Sequence, residues 1–331
     1  MDELKPILQF FELREQPFAA TADPIYFFAT RGHKECLYRL WHSIDERHGI
    51  AVVLGDYGTG KTTLLRKLLT GMKADRATYN TAVIGSPIPS WTSFALLETI
   101  VNQYGLRPAK RSFMAYMESL NKYLTANRDR INTLIIDDAQ NLNKRGQLEL
   151  LRLAQNLETP QHKLLNLVFF AQMEWAQILQ AAPNFEQRIN MSYVLEPLTL
   201  EDTRELIEFR LRQAGAGPQG PVFTDDAVQC IHAYSEGSPR ITVTLCRNTL
   251  VAAGRVRQQQ IDQELVLHTI DKTTLPDQNK RARVAEALTR GAQHEPAPAQ
   301  RSPSPGSPPP GVGMSREERA RQMLLRSARG R

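Results

Sequence analysis

The stretch IAVVLGDYGTGKTTLLRKLL (residues 50–69) decides the fold. Its apolar opening reads as a buried strand, and its leucine-rich end reads as a helix. Between them lie three glycines in six positions, followed by a lysine and two threonines, a poor helix start by propensity. Gly55–Asp56–Tyr57–Gly58–Thr59–Gly60–Lys61–Thr62 matches GxxxxGK[ST] in full, with the strand and helix that this pattern requires. Glycines let backbone N–H groups turn inward with no Cβ in the way, forming a nest for phosphate oxygens. The helix that begins there adds unpaired N–H groups and the positive end of its dipole. Gly55, Tyr57, Gly58, Thr59, Gly60, Lys61, Thr62 and Thr63 are therefore candidate contacts for ATP. Lys61 reaches the β- and γ-phosphates, and the Thr62 hydroxyl is a candidate Mg²⁺ ligand.

A metal-bound triphosphate needs carboxylates nearby, and TLIIDDAQNL (133–142) supplies them. A buried strand ending in Asp137 and Asp138 delivers both acids to the C-terminal edge of a sheet, where the glycine-rich loop also opens. Asp137 is expected to hold Mg²⁺ and Asp138 to orient and polarise the attacking water. Gln172 follows the apolar strand LNLVFF (165–170) and is either a polar sensor of the γ-phosphate or an ordinary strand end. Arg188, in NFEQRIN, is a candidate arginine finger for a neighbouring subunit, the alternative being a solvated side chain. GSPR (237–240) reads as a helix start with Ser238 as N-cap and Pro239 in the first position. Arg240 then opposes the helix dipole, which points to an anionic partner such as the γ-phosphate; a plain surface arginine is the other reading.

Short apolar strands at 50–54, 78–84, 133–137, 165–170 and within 191–198 alternate with helical patterns from residue 32 onward. That alternation predicts an α/β fold with a parallel sheet between helices. After Pro197 only helices fit, at 200–214, 225–235, 239–253 and 259–271. The expected organisation is an α/β nucleotide-binding domain over 1–198 and an all-helical lid over 199–275. A Pro/Ser-rich linker over 276–313 and a short basic helical tail over 314–331 complete it.

The chain has 331 residues and a net charge of +6, but from Pro276 onward there are 11 basic and 5 acidic residues, so the whole excess lies in the tail. The remainder is balanced, with 30 of each sign, and carries no overall basic signature for nucleic acid. No apolar run is long enough to span a membrane, and the start MDELKPILQF lacks the pattern of a signal peptide. The three scattered cysteines form no CxxC pair, as expected of reduced thiols in the cytoplasm.

Taken together, the loop, the Asp-Asp strand end, the polar sensor, the arginine finger and the GSPR helix resemble the AAA+ ATPases. Within them the chain is similar to the ExeA/GspA-like branch, which includes MshM-type pilus-biogenesis ATPases. The resemblance is carried by FFELREQPFAATADPIYFFAT (10–30), HKECLYRLWHSI (33–44), LGDYGTGKTTLLRKLL (54–69), LIIDDAQNL (134–142) and EQRI (186–189). It is also carried by LLRLAQNLETPQHKLLNLVFFAQMEW (150–175) and FTDDAVQCIHAYSEGSPRITVTLCRNTLVAA (223–253), so it covers roughly residues 5–272.

The resemblance implies an oligomeric ATPase, a ring or a filament, that works with ATP and Mg²⁺ held between the α/β domain and the lid. It implies that the segment around Pro17–Phe28, with Pro17 and Phe18 in it, lines the adenine pocket. It implies partners in envelope secretion or pilus machinery. A related branch, in which the ATPase assembles on double-stranded DNA and guides a transposase, implies the alternative of a regulator of transposition. Many relatives carry Glu where this chain has Asp138, whose reach is about 1.5 Å shorter, so slow hydrolysis or a switch-like ATPase is expected. The membrane span and peptidoglycan-binding domain of the full-length secretion proteins are not visible in this sequence.

Overall fold

The computed structural model describes residues 4–19, 24–217, 222–273 and 284–286. These divide into two compact units, one spanning Ala29–Glu196 and the other formed by the chain on either side of it.

The first helix, α1 (Leu4–Phe10), belongs to the flanking unit. The Ala29–Glu196 unit begins with α2 (Arg31–Asp45), β1 (Ile50–Gly55), α3 (Lys61–Ala74) and β2 (Tyr79–Ile84). Then come α4 (Ser93–Gln103), α5 (Phe113–Ala126), β3 (Ile131–Ile136) and α6 (Arg145–Gln155). It ends with β4 (Asn166–Ala171), α7 (Trp175–Gln180), α8 (Pro183–Glu186) and β5 (Ile189–Leu195). Thr30, Thr92 and Ser112 cap α2, α4 and α5, each side chain accepting a first-turn backbone N–H.

The five strands form one parallel sheet in the order β2-β3-β4-β1-β5. Every residue of β1, β3 and β4 is buried, which is why these strands read as continuous apolar runs. β5 lies at an edge and alternates between covered and open positions. Val52, Leu54, Leu134, Ile136, Leu167 and Phe169 stand in one continuous core, closed by Trp175 and Phe185 against the Phe169 ring. Each fully buried side chain of this size contributes about 1.5–3 kcal/mol. The order of the strands places β4 between β1 and β3. The ends of these three strands therefore share one rim, in the sequence loop, Gln172, acid pair. This is the α/β architecture expected from the alternation of strands and helices.

The second unit contains α1 with α9 (Leu200–Gln213), α10 (Asp225–Ser235), α11 (Pro239–Val256) and α12 (Gln263–Thr273). Thr199 and Asp202 form a reciprocal capping box at the start of α9. Residues 1–28, assigned from sequence to the α/β domain, cluster here instead. The reason is burial: Ile7, Phe11, Leu13 and Phe18 lie in the same core as Leu206, Ile231 and Leu250. Gly254 makes room for α1, because a Cβ there would stand 2.6 Å from Ile7 Cγ2.

Val284 is buried in this core as well, so the packed region reaches into the segment expected to be linker. The rest of the expected linker at 276–313, and the tail helix at 314–331, lie outside the described residues.

Candidate nucleotide-binding site

The loop between β1 and α3 is shaped by two left-handed glycines, Gly58 at φ +80° and Gly60 at φ +95°. Gly55 is required for a different reason. A Cβ on it would meet Thr59 Oγ1 at 2.8 Å and the Leu195 carbonyl at 3.0 Å. Thr59 is buried and its hydroxyl donates to the Asp56 carbonyl at 2.9 Å, closing the loop on itself. Tyr57 stands out at the tip, 72% exposed. Lys61 is only 8% exposed and its ammonium donates to the carbonyls of Gly55 at 2.7 Å and Asp56 at 2.8 Å.

The acids of β3 come to the same rim. Thr62 Oγ1 donates to Asp137 Oδ2 at 2.9 Å, and the Asp138 N–H donates to Asp137 Oδ1 at 3.1 Å. Asp138 follows in the left-handed region at φ +50°, which turns its side chain out of the strand direction. Gln140, which the sequence reading passed over, links the next strand: its amide donates to Asp138 Oδ1 at 3.2 Å, and its oxygen accepts the Gln172 N–H at 3.2 Å. Gln172 thus stands beside the acid pair. His33, also passed over, is 4% exposed and reaches the loop from α2, its Nε2 lying 3.0 Å from the Thr59 carbonyl.

Burial shapes the electrostatics. It lowers the pKa of Lys61, an effect opposed by Asp137, Asp138 and Asp56. It raises the pKa of Asp137, opposed by the Thr62 hydroxyl and the Asp138 N–H. A polyanion beside Lys61 and a divalent cation beside Asp137 would each favour the charged form. A hydroxyl and a carboxylate oxygen 2.9 Å apart are the hard oxygen donors that suit Mg²⁺. The residues present therefore fit the metal that the motif implies.

Ile189 is in register with Ile50, so Arg188 lies at the far end of the sheet, about 17 Å of strand from the loop. Its Nη1 donates to Asn156 Oδ1 at 2.8 Å. Arg240 is exposed in the first turn of α11, after Ser238 and Pro239 as expected, although the Ser238 hydroxyl makes no cap bond. Phe18 is 1% exposed and packs edge-to-face on Phe223, and the Pro17 carbonyl accepts from Arg210. The free cysteines are buried, and burial pushes the thiols of Cys36 and Cys230 up to about 12.

A left-handed glycine loop opening a helix, beside a strand ending in two acids within a 2-3-4-1-5 parallel sheet, defines the class of P-loop ATPase domains. Residues 44–179 match the AAA domain family. The chain carries this AAA domain, and it is similar to General secretion pathway protein A of Aeromonas hydrophila. The two are 34% identical over 250 residues, which make up 74% of this chain and 44% of that protein. The chain thus spans less than half the length of that relative.

Among solved structures, the Aeropyrum pernix ORC2 protein in its ADPNP-ADP complexes is 17% identical, with a TM-score of 0.55, 76% of this chain covered and 70% of the other. Drosophila ORC bound to DNA is 16% identical, with a TM-score of 0.59 over 87% of this chain and 78% of the other. At such identities the likeness shows a shared fold.

Proposed function

We propose that this protein binds ATP·Mg²⁺ at the β1–α3 loop and hydrolyses it, acting as an oligomer to assemble or remodel a partner complex of the secretion machinery. The observation that carries the reading is the bond between Thr62 and Asp137, which joins the phosphate loop to the carboxylate strand at one rim. Similarity to General secretion pathway protein A supports the choice of a partner in secretion. Among the described residues no helix is long and apolar enough to cross a membrane.

The chain's own groups divide the work. The amides of Gly58–Thr62 receive phosphate oxygens, and the Lys61 ammonium exchanges its two carbonyl partners for the β- and γ-phosphates. Thr62 and Asp137 would hold Mg²⁺, which neutralises phosphate charge when bound. Asp138 accepts a hydrogen bond from the attacking water and turns its lone pair toward the γ-phosphorus. Gln172, tied through its backbone N–H and Gln140 to Asp138, reports on the γ-phosphate. Arg188, far from its own loop, serves a neighbouring copy, and Arg240 supplies a cation from the helical unit.

Equilibrium titration with a fluorescent ATP analogue, with a phosphate-release assay beside it, tests the reading. Saturable binding and turnover by wild type, both abolished in Lys61→Ala, are expected. A wild type without saturable binding defeats the proposal. Salt-dependent DNA binding that appears only with ATP would favour the transposition alternative over the secretion one.

A further inference from the structure

His33 stands on the first turn of α2, buried, with both ring nitrogens engaged. Nε2 lies 3.0 Å from the Thr59 carbonyl, and Nδ1 lies 2.7 Å from Thr30 Oγ1. The chemistry of the partners assigns the tautomer. A carbonyl can only accept, so Nε2 carries the hydrogen. Nδ1 then accepts from the Thr30 hydroxyl, which itself accepts the His33 backbone N–H at 3.2 Å. A neutral imidazole is fully satisfied in this arrangement. Its Nε2 reaches beyond the α2 start to the phosphate loop.

That bond falls on the peptide where the loop has most freedom. Gly60 sits at φ +95°, and without a Cβ the Thr59–Gly60 peptide can rotate by half a turn at little steric cost. In a trans peptide the carbonyl and the N–H point in opposite directions. Holding the Thr59 carbonyl against His33 therefore turns the Gly60 N–H away from α2. Rotation would instead aim a carbonyl oxygen, a partial negative charge, to the side where the N–H had been. The ring also occupies the space a side chain at position 60 would need, since a Cβ there would stand 2.8 Å from His33 Nε2.

We propose that His33 is a positioning residue for nucleotide binding, which locks the Thr59–Gly60 peptide so that the Gly60 N–H is presented to the β-phosphate. This rests on the ATP-binding reading above. The β-phosphate is common to ATP and ADP, so the lock acts on both alike. Thr30 completes the device by fixing which ring nitrogen donates.

The test is a pair of side chains of equal length, His33→Gln, which can donate to the Thr59 carbonyl, and His33→Met, which cannot. Fluorescent ATP and ADP analogues are titrated against the full chain, with thermal melting alongside and Lys61→Ala as the reference for a lost site. His33→Met is expected to weaken ATP and ADP by a similar factor, about tenfold, as loss of a donor bond and exposure of a repelling carbonyl require. His33→Gln is expected to restore most of that loss. Thr30→Val, which leaves the ring in place, is expected to weaken both to a smaller extent.

ATP binding by a folded His33→Met at wild-type strength overturns the proposal, as does a His33→Gln as weak as His33→Met. If His33→Met does not fold, Thr30→Val decides: weakened binding of both ATP and ADP supports the proposal, and a folded Thr30→Val that binds both at wild-type strength overturns it. A wild type that binds no nucleotide defeats the ATP-binding reading itself, whereas tight binding lost in Lys61→Ala but kept in His33→Met defeats this inference alone.

Discussion

The hydroxyl of Thr62 and the carboxylate of Asp137 are 2.9 Å apart although 75 positions separate them in the chain. One residue stands in the first turn of α3 and the other directly follows β3, with β4 passing between β1 and β3. The pair is thus the point where the phosphate-binding half and the carboxylate half of the rim meet.

Breaking this junction should separate metal dependence from nucleotide binding. Thr62→Val keeps the shape of the side chain and removes one oxygen donor. It is expected to bind ATP with little gain from added Mg²⁺, whereas Lys61→Ala should lose affinity on the order of 100-fold with or without the metal. Titrations in magnesium and in chelator, compared across the two variants, check both statements.

Asp138 offers a change in the opposite direction. Its backbone is left-handed, and its short carboxylate accepts a bond from Gln140. Asp138→Glu extends the reach by about 1.5 Å and is expected to raise the turnover number several-fold at unchanged ATP affinity, while Asp138→Asn should abolish turnover. Steady-state phosphate release at saturating ATP decides the matter; no gain in the Glu variant would show that reach does not limit the chemistry.

Arg188 lies at the end of the sheet remote from its own loop, so a role in hydrolysis has to be exerted on another copy. Arg188→Ala and Lys61→Ala proteins should each be inactive alone and should regain part of the activity when mixed. In the mixture an intact loop from one can face an intact arginine from the other. Activity measured against mixing ratio reveals this, and the absence of any complementation would remove Arg188 from the site.

The helical unit carries a pH dependence of its own. Thr203 spends its hydroxyl hydrogen on the Thr199 carbonyl, so it accepts from Nδ1 of the half-buried His232. Burial lowers the pKa of His232 from its ordinary value of 6.5. Below that value the unfolded chain binds more protons than the folded one, so stability is full above about pH 6.5 and declines as the pH falls. Melting curves from pH 7.5 to 5 should show the decline, and His232→Gln should flatten it.

Gly237 predicts a purely steric effect. It sits at φ +72°, and a Cβ there would stand 2.3 Å from the Leu198 carbonyl oxygen, a backbone atom with nowhere to move. Gly237→Ala is expected to destabilise the helical unit by about 2 kcal/mol or more, seen as a lowered melting midpoint.

What could be read from the residues alone follows from the range of the forces involved. β1, β3 and β4 announce themselves because strands buried on both faces must be apolar throughout. The loop and the acid pair are local patterns whose spacing carries their chemistry, so Gly55–Thr63 and Asp137–Asp138 were legible without coordinates. α7 and α8, with 6 and 4 residues, are too short for a helical period to register.

Residues 1–28 look like a lead-in to the α/β domain because their partners lie far downstream. Ile7 meets Gly254, a contact that no window of sequence contains. His33 resembles any polar residue on a helix face until its neighbour, the Thr59 carbonyl, is known. Gln140 is hidden in the same way, since its two partners sit on different strands.

The placement of the first residues in the helical core has a consequence for synthesis. The opening segment leaves the ribosome well before the helices it packs against, and the whole of Ala29–Glu196 is made in between. The parallel sheet can therefore condense on its own while Ile7, Phe11 and Phe18 stay uncovered. Closing the helical core afterwards is a slow, long-range step, and during it those side chains are the ones a chaperone would meet first.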